Sequence, residues 1–125
     1  MNRPTWDEYF LEIAKVVASR STCPRAEVGA VITKQDRIIA TGYNGSPAGE
    51  LHCIDAGCNM IDGHCERTIH AETNAIGYAA RFGVALEGAT LYVYDEMGRE
   101  GPCHDCMKVI KAAGIGSIIM RGDKE

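Results

Sequence analysis

The sequence lacks an apolar run long enough to cross a membrane, and residues 1–8 lack the apolar core of a secretion signal. Internal repeats and low-complexity segments are also absent, and the apolar content of 46% is too high for an intrinsically disordered chain. We therefore expect a cytoplasmic protein. In a reducing compartment its six cysteines are metal ligands or catalytic groups more readily than a disulfide framework.

An excess of positive charge is missing as well. The formal net charge is -4, so the sequence does not predict the broad basic surface with which proteins bind long nucleic acids. This favours a small substrate. A length of 125 residues, with 14 glycines and four prolines, indicates one globular domain over residues 1–125 with a single core.

The first third of the chain predicts a helix and a hairpin. Thr5 and Glu8 form a capping-box pattern, and apolar side chains recur at helical spacing from Trp6 to Val17, which predicts a helix to about residue 19. Residues 28–33 and 37–43 have the composition of strands and are separated by a short polar stretch, so we expect them to pair as a hairpin.

The rest of the chain predicts an aperiodic loop followed by a βαβ unit. Residues 44–68 lose all periodicity, and a loop of that length in a small domain is usually functional or held by something. The predicted elements after it are a helix over residues 69–82, a strand over 90–94, a helix over 103–113 and a strand over 117–120. We expect a mixed sheet of these four strands with helices packed on its faces.

The stretch "GPCHDC" places Cys103 and Cys106 at the start of the third predicted helix. A helix N-terminus stabilises a thiolate, so this pair fits a thiol redox couple and also half of a zinc site. Taken alone, the motif does not decide between them. A third metal ligand elsewhere in the sequence would favour the zinc site.

The stretch "TIHAETNAI" offers that ligand in His70, at the opening of the other glycine-ended helix. One nitrogen and two sulfurs leave the fourth position of a tetrahedral zinc open, as a hydrolytic metal requires. Glu72 is two residues further on, and it could address the same point only if the metal lies just beyond the helix end. A carboxylate there could take a proton from water and pass it to a substrate.

Each of these residues also has a purely structural interpretation. A lone histidine in an apolar helix is usually a core residue, and a lone Cys-x-x-Cys is often a structural metal clip or a redox pair. In combination, His-x-Glu followed by Pro-Cys-x-x-Cys is the signature of zinc deaminases, which favours a catalytic centre.

The segments "RTIHAETNAI", "GPCHDC", "VGAVI" and "TGYNGSPAG" together resemble the deoxycytidylate (dCMP) deaminases of the cytidine deaminase superfamily, over residues 5–120. The resemblance implies a three-layer α/β/α sandwich with a mixed β-sheet. It further implies a zinc on His70, Cys103 and Cys106, with Glu72 as the proton shuttle. The reaction would be hydrolysis of dCMP to dUMP and ammonia, with dCTP, deoxycytidine or a nucleic-acid base as alternative substrates.

Substrate contacts follow from the resemblance alone. Asn44 would contact the sugar, the backbone of Ala71 would meet the exocyclic amine, and Arg81 matches an active-site arginine of some members. Asn44 could instead be simple turn chemistry, and Arg81 could be a solvated helix end.

The resemblance also implies a second, structural zinc, because some family members hold one with ligands at matching places. The ligands here would be Cys23, Cys53, Cys58 and Cys65, with His64 or His52 as possible replacements, and such a zinc would pin the aperiodic loop. The alternative is that some of these cysteines are buried thiols. Family members are commonly hexamers, and some respond to dCTP and dTTP, so we expect a homo-oligomer and consider these effectors.

The chain departs from the family in two places. Residues 95–101 form a longer connection between strand and Pro-Cys than relatives have, and the chain stops at "MRGDKE", where relatives continue through a further strand. The longer connection makes the identity of the substrate an open question. A thiol redox protein and a noncatalytic zinc-binding module also stay open at this stage.

Overall fold

A computed structural model describes residues 2–22, 27–45, 60–61, 64–65, 70–98 and 104–122, and for residues 60–61, 64–65 and 104–105 it describes the backbone alone. In chain order the elements are α1 (Trp6–Ala18), β1 (Val28–Lys34), β2 (Arg37–Tyr43), β3 (Met60–Ile61), β4 (His64–Cys65), α2 (Ala71–Arg81), β5 (Thr90–Asp95), α3 (His104–Ala112) and β6 (Ser117–Arg121).

Four strands form one mixed sheet in the order β2-β1-β5-β6. Strand β1 is antiparallel to both of its neighbours, whereas β5 and β6 are parallel and are joined through α3. The predicted βαβ unit is thereby confirmed. Strands β3 and β4 pair with each other in a separate two-stranded ladder, which lies within the segment predicted to be an aperiodic loop.

The turn between β1 and β2 explains the register of the hairpin. Gln35 and Asp36 both have positive φ angles, 52° and 58°, although neither is glycine. Two successive residues of this kind form the type I′ connection, whose twist matches that of the flanking strands. It pairs Lys34 with Arg37 at the end of the ladder.

Helix α1 covers one face of the sheet. Its predicted capping box is present, since Thr5 Oγ1 accepts from the Glu8 amide at 3.1 Å and Glu8 Oε1 accepts from the Thr5 amide at 2.9 Å. The buried face of α1 is rotated relative to the apolar pattern of the sequence, because Trp6 is 51% exposed and stacks on the buried Phe10. The layer is closed by apolar side chains from the helix and the sheet, namely Phe10, Leu11, Ala14, Ala18, Val31, Tyr92 and Tyr94.

A partly buried hydrogen bond joins the start of α1 to the sheet. The Tyr92 hydroxyl donates to Asp7 Oδ1 at 2.7 Å. Burial of the phenol, followed by its hydrogen bond to Asp7, raises the pKa of Tyr92 to about 12.

Helices α2 and α3 cover the opposite face, which completes the predicted three-layer α/β/α sandwich. Helix α2 contributes Ala71, Ala75 and Ala79, and α3 contributes Cys106 and Ile110, all of them buried. Small side chains let α2 approach β2 closely, and a Cβ atom on Gly42 would lie 2.5 Å from the Ala71 carbonyl oxygen. The glycine of "TGYNG" is therefore needed for the position of α2. The helices in the described part of the chain are too short or too polar to span a bilayer.

Candidate metal centre and active site

The beginnings of α2 and α3 meet on this second face of the sheet. His70 is the N-cap of α2, and Cys106 lies in the first turn of α3 with only 4% of its surface exposed. Their side chains come together, with His70 Nδ1 3.1 Å from Cys106 Sγ. Two residues far apart in the sequence, both predicted as metal ligands, are thus placed at one point by the packing of the two helices.

The pair has the chemistry and the spacing of zinc ligands. Ligands bound to one tetrahedral zinc at about 2.0 Å for nitrogen and 2.3 Å for sulfur lie roughly 3.5 Å from each other, close to the separation seen here. The positive end of each helix dipole also favours a thiolate at this point. Cys103, the third predicted ligand, lies outside the described residues, and within them no group of three potential metal ligands is found.

Glu72 is the second residue of α2, and it is 5% exposed. The backbone of His70 is extended, with φ -64° and ψ 150°, so the histidine side chain leaves from a point outside the helix proper. This supports the expectation that His70 and Glu72 can address one point beyond the helix end even though they are two residues apart.

Asn44 is placed directly after β2, as predicted, and is 7% exposed. Its Oδ1 accepts from the Val28 amide at 2.9 Å, and its own amide donates to the Val28 carbonyl at 3.2 Å. Asn44 therefore closes the open end of the β1–β2 ladder. Asn44 thus has a structural role that joins two strands, unlike the local turn considered from the sequence, and its contact with a sugar stays a prediction.

Sequence reasoning missed Asn74, which follows two residues after Glu72. Its Nδ2 donates to the Tyr43 carbonyl at 2.6 Å and to the Gly45 carbonyl at 3.4 Å, so it holds the segment on either side of Asn44 against α2. An asparagine in the first turns of an alanine-rich helix is a poor helix former, and this could have signalled a side-chain role.

Comparisons with known proteins agree with this geometry. Residues 4–121 match the model of the cytidine and deoxycytidylate deaminase zinc-binding region. The chain belongs to this family.

Two curated relatives illustrate the degree of similarity within the deaminase family. The chain is 50% identical to ComE operon protein 2 of Bacillus subtilis (strain 168) over 98% of its own length and 62% of that protein, so it spans less than two thirds of this relative. It is 42% identical to deoxycytidylate deaminase of Mycobacterium phage D29, over 95% of its own length and 96% of that protein.

Among solved structures, the fold is similar to that of dCMP deaminase from the cyanophage S-TIM5 in complex with dCMP and dUMP. The TM-score is 0.79 at 30% sequence identity, and the match covers 98% of this chain and 85% of the other. The predicted fold class and the resemblance to dCMP deaminases are thereby confirmed.

The other residues expected to contact substrate in a deaminase are not all near His70. Ala71 follows it directly and is fully buried. Arg81 is the last residue of α2, about 15 Å along the axis from the first at 1.5 Å per residue. It is exposed, and its guanidinium lies 5.5 Å from the centre of the Phe82 ring. Within one chain, Arg81 and His70 thus lie at opposite ends of the helix.

The predicted second zinc site falls almost wholly outside the described residues. This applies to Cys23, Cys53, Cys58 and His52, and of His64 and Cys65 only the backbone is described, in strand β4. The ligand set of a structural zinc stays a prediction.

The connection between β5 and α3, predicted from the resemblance to be longer than in relatives, begins as an ordered turn. Asp95 is 4% exposed, and its Oδ1 accepts from the Met97 amide at 2.9 Å while its carbonyl accepts from the Gly98 amide at 2.9 Å. Glu96 Oε1 accepts from the Glu27 amide at 2.8 Å, and the Glu96 amide donates to the Glu27 carbonyl at 3.1 Å. The carboxylates of Asp95 and Glu96 are therefore both engaged with backbone amides.

Proposed function

We propose that this chain is a zinc-dependent enzyme that hydrolyses dCMP to dUMP and ammonia. The observation that carries the proposal is the approach of His70 Nδ1 to Cys106 Sγ at the shared beginning of α2 and α3, with Glu72 buried in the same turn. The phage D29 relative, matched over nearly its whole length, is named deoxycytidylate deaminase, and the S-TIM5 enzyme is in complex with dCMP and dUMP. Both relatives support dCMP as the substrate.

In this proposal His70, Cys103 and Cys106 hold the zinc. A metal with these three protein ligands keeps one open position and supplies the Lewis acidity that makes water a nucleophile near neutral pH. The chain contributes the rigidity of the site, since two of the ligands are fixed by helices that pack on the same sheet face.

Glu72 moves the protons. Its carboxylate takes a proton from the attacking water and delivers it to N3 of the cytosine, which makes C4 more electrophilic. After hydroxide has added to C4, Glu72 takes the remaining proton from the new C4 hydroxyl and passes it to the amine. The C4–N bond then breaks, ammonia leaves, and C4 becomes the carbonyl carbon of uracil.

Substrate binding is assigned to Asn44, Ala71 and Arg81. Because Asn44 Oδ1 accepts from Val28, a contact with the sugar would be made through Nδ2, the donor end of the amide. The backbone of Ala71 would receive the exocyclic amine. Arg81 lies at the other end of α2 from His70, so its proposed contact would be with a part of the substrate distant from the metal or with the active site of another copy in the proposed homo-oligomer.

Three further features complete the proposal. A second zinc is held by Cys23, Cys53, Cys58 and Cys65. The enzyme is a single cytoplasmic domain. Residues 42–45 are a candidate binding site for the effectors dCTP or dTTP. The composition and the number of cysteines support the first two. A hexamer is the oligomer expected from the family, and light scattering at the monomer mass would contradict it.

The test is ammonia release from a panel of cytosine, cytidine, deoxycytidine, dCMP, dCTP, adenosine and single-stranded DNA, measured on the wild type and on Glu72→Gln. We expect dCMP to be preferred, and we expect Glu72→Gln to keep its zinc while losing nearly all turnover. Glu12→Gln is the matched control, since Glu12 lies on α1, on the other side of the sheet, and pairs with Arg121 at the surface.

Each alternative gives a different outcome in this assay. Another preferred substrate would replace dCMP but leave the chemistry intact. A noncatalytic zinc-binding module would bind zinc and release no ammonia. A thiol redox protein would also release no ammonia, and it would be distinguished by the absence of bound zinc. Full turnover in Glu72→Gln would refute the proposed mechanism.

A further inference from the structure

A second side chain of α2 lies within hydrogen-bonding distance of the cysteine ligand. Thr73 Oγ1 is 3.6 Å from Cys106 Sγ. Thr73 lies in the first turn of α2 and His70 is the N-cap just before that turn, and both side chains are directed at the same sulfur.

The direction of this hydrogen bond follows from the state of the sulfur. A cysteine that binds zinc does so as a thiolate, which carries no proton and can only accept. The threonine hydroxyl can donate, and it must therefore be the donor when the metal is bound. A helical threonine hydroxyl often bonds to the carbonyl one turn earlier, whereas here it lies against the sulfur of the neighbouring helix.

We propose that Thr73 is a positioning residue for the metal ligand Cys106. Its hydroxyl donates to the thiolate, fixes the direction of the sulfur lone pairs and withdraws part of the negative charge that the sulfur would otherwise give to the metal. This inference rests on the proposed function, because it requires Cys106 to be a zinc ligand.

The experiment compares Thr73→Val, which keeps the shape and removes the hydroxyl, with Thr73→Ser, which keeps the hydroxyl and removes the methyl group. Each full-length protein is loaded with Co²⁺ in place of zinc, and the thiolate-to-cobalt charge-transfer absorption is recorded. Cys106→Ser identifies the part of the spectrum that belongs to Cys106. Zinc affinity is measured in parallel by competition with a chromophoric chelator.

In Thr73→Val we expect the charge-transfer band of Cys106 to move to lower energy, because a thiolate without a donor holds its electrons less tightly. Zinc affinity should fall about tenfold, the lower end of the range for partners of metal ligands, because we expect the loss of sulfur orientation to outweigh the gain in charge donated to the metal. Thr73→Ser should restore both properties. If Thr73 served only in packing, Thr73→Val would leave the band where it is in the wild type, and Thr73→Ser would have no shift to reverse.

Two outcomes would overturn the inference while leaving the proposed function intact: a Thr73→Val protein with the band and affinity of the wild type, or a serine variant that behaves like valine. If Cys106→Ser leaves the cobalt spectrum unchanged, Cys106 is not a ligand, and the proposed metal centre fails together with the inference. Should Thr73→Val not fold, Thr73→Ala against Thr73→Ser gives the same comparison.

Discussion

The close approach of α2 to β2 at Gly42 can be tested by adding a single methyl group. In Gly42→Ala the new Cβ would lie 2.5 Å from the Ala71 carbonyl oxygen and would overlap the Ala75 amide nitrogen. Both neighbours are backbone atoms of a helix, so neither can rotate away as a side chain would. Helix α2 must therefore move off the strand as a unit.

The size of the effect follows from the displacement. Ordinary van der Waals contact begins at 3.4 Å, so α2 has to shift by close to 1 Å. Overpacking of this kind costs about 1–3 kcal/mol of the free energy of unfolding. Because α2 carries His70 and Glu72 at its start, the same shift misplaces the catalytic groups, and a misplacement of about 1 Å can lower kcat roughly 100-fold.

The control is Gly77→Ala on the exposed side of the same helix, where an added Cβ meets nothing within 4 Å. Alanine in a helix interior is favoured over glycine by about 0.5–1 kcal/mol, so this variant should be slightly more stable than the wild type with unchanged kcat. Urea unfolding and ammonia release on dCMP measure both quantities. A Gly42→Ala enzyme as stable and active as the wild type would refute the tight packing of α2 on β2.

Three other predictions concern stability, metal content and specificity. Folding raises the pKa of Tyr92 to about 12. Its contribution to the free energy of unfolding is therefore fully present below pH about 10, the pKa of an unfolded tyrosine, and is lost as the pH rises from there to about 12. Over that pH interval the free energy of unfolding should fall on the order of 2 kcal/mol more in the wild type than in Tyr92→Phe. An equal fall in the two proteins would contradict this prediction. The wild type should bind two zinc ions per chain, whereas Cys53→Ser should lose one of them together with stability. One zinc with four free thiols in the wild type would remove the structural site. Shortening residues 95–101 to a one-residue connection should change the ratios of kcat/KM among dCMP, dCTP and deoxycytidine. Constant ratios with zinc and fold intact would show that the connection has no role in substrate choice.

The elements of this fold were largely predictable from local sequence. Strand composition, the capping box and the glycines that end α2 and α3 act over a few residues, so their signals survive without knowledge of the tertiary structure. The central prediction of the site was also accessible, because His70 and Cys106 begin two helices, and helix N-termini attract the same kind of ligand.

Other features depend on packing that local patterns do not encode. Trp6 belongs to the apolar repeat of α1 but is half exposed, since the helix is rotated to bring small residues onto the sheet, where a Cβ on Gly29 would overlap the Ala14 carbonyl. The partners of Thr73 and Asn74 lie on other elements, so their roles could not be derived from α2 alone. The role of Arg81 was predicted from the resemblance alone. The structure shows that Arg81 and His70 lie at opposite ends of α2.

The first turns of α2 explain why one short segment carries so much of the family's identity. On one side, His70 and Thr73 contact Cys106. On another, Asn74 holds the carbonyls on both sides of Asn44, and Ala71 and Ala75 border Gly42. A substitution almost anywhere in this stretch therefore changes the metal site, the packing on β2 or the placement of Asn44. The segment "TGYNG" is constrained by the same contact. Gly42 leaves room for helix α2, and the carbonyl groups of Tyr43 and Gly45 accept hydrogen bonds from Asn74 of that helix. The contact between α2 and the end of β2 therefore links the two motifs, although they are far apart in the sequence. Asn44 and Ala71 belong to this contact and also to the proposed substrate site, so the packing of α2 on β2 positions two of the proposed substrate contacts together with the metal ligand His70.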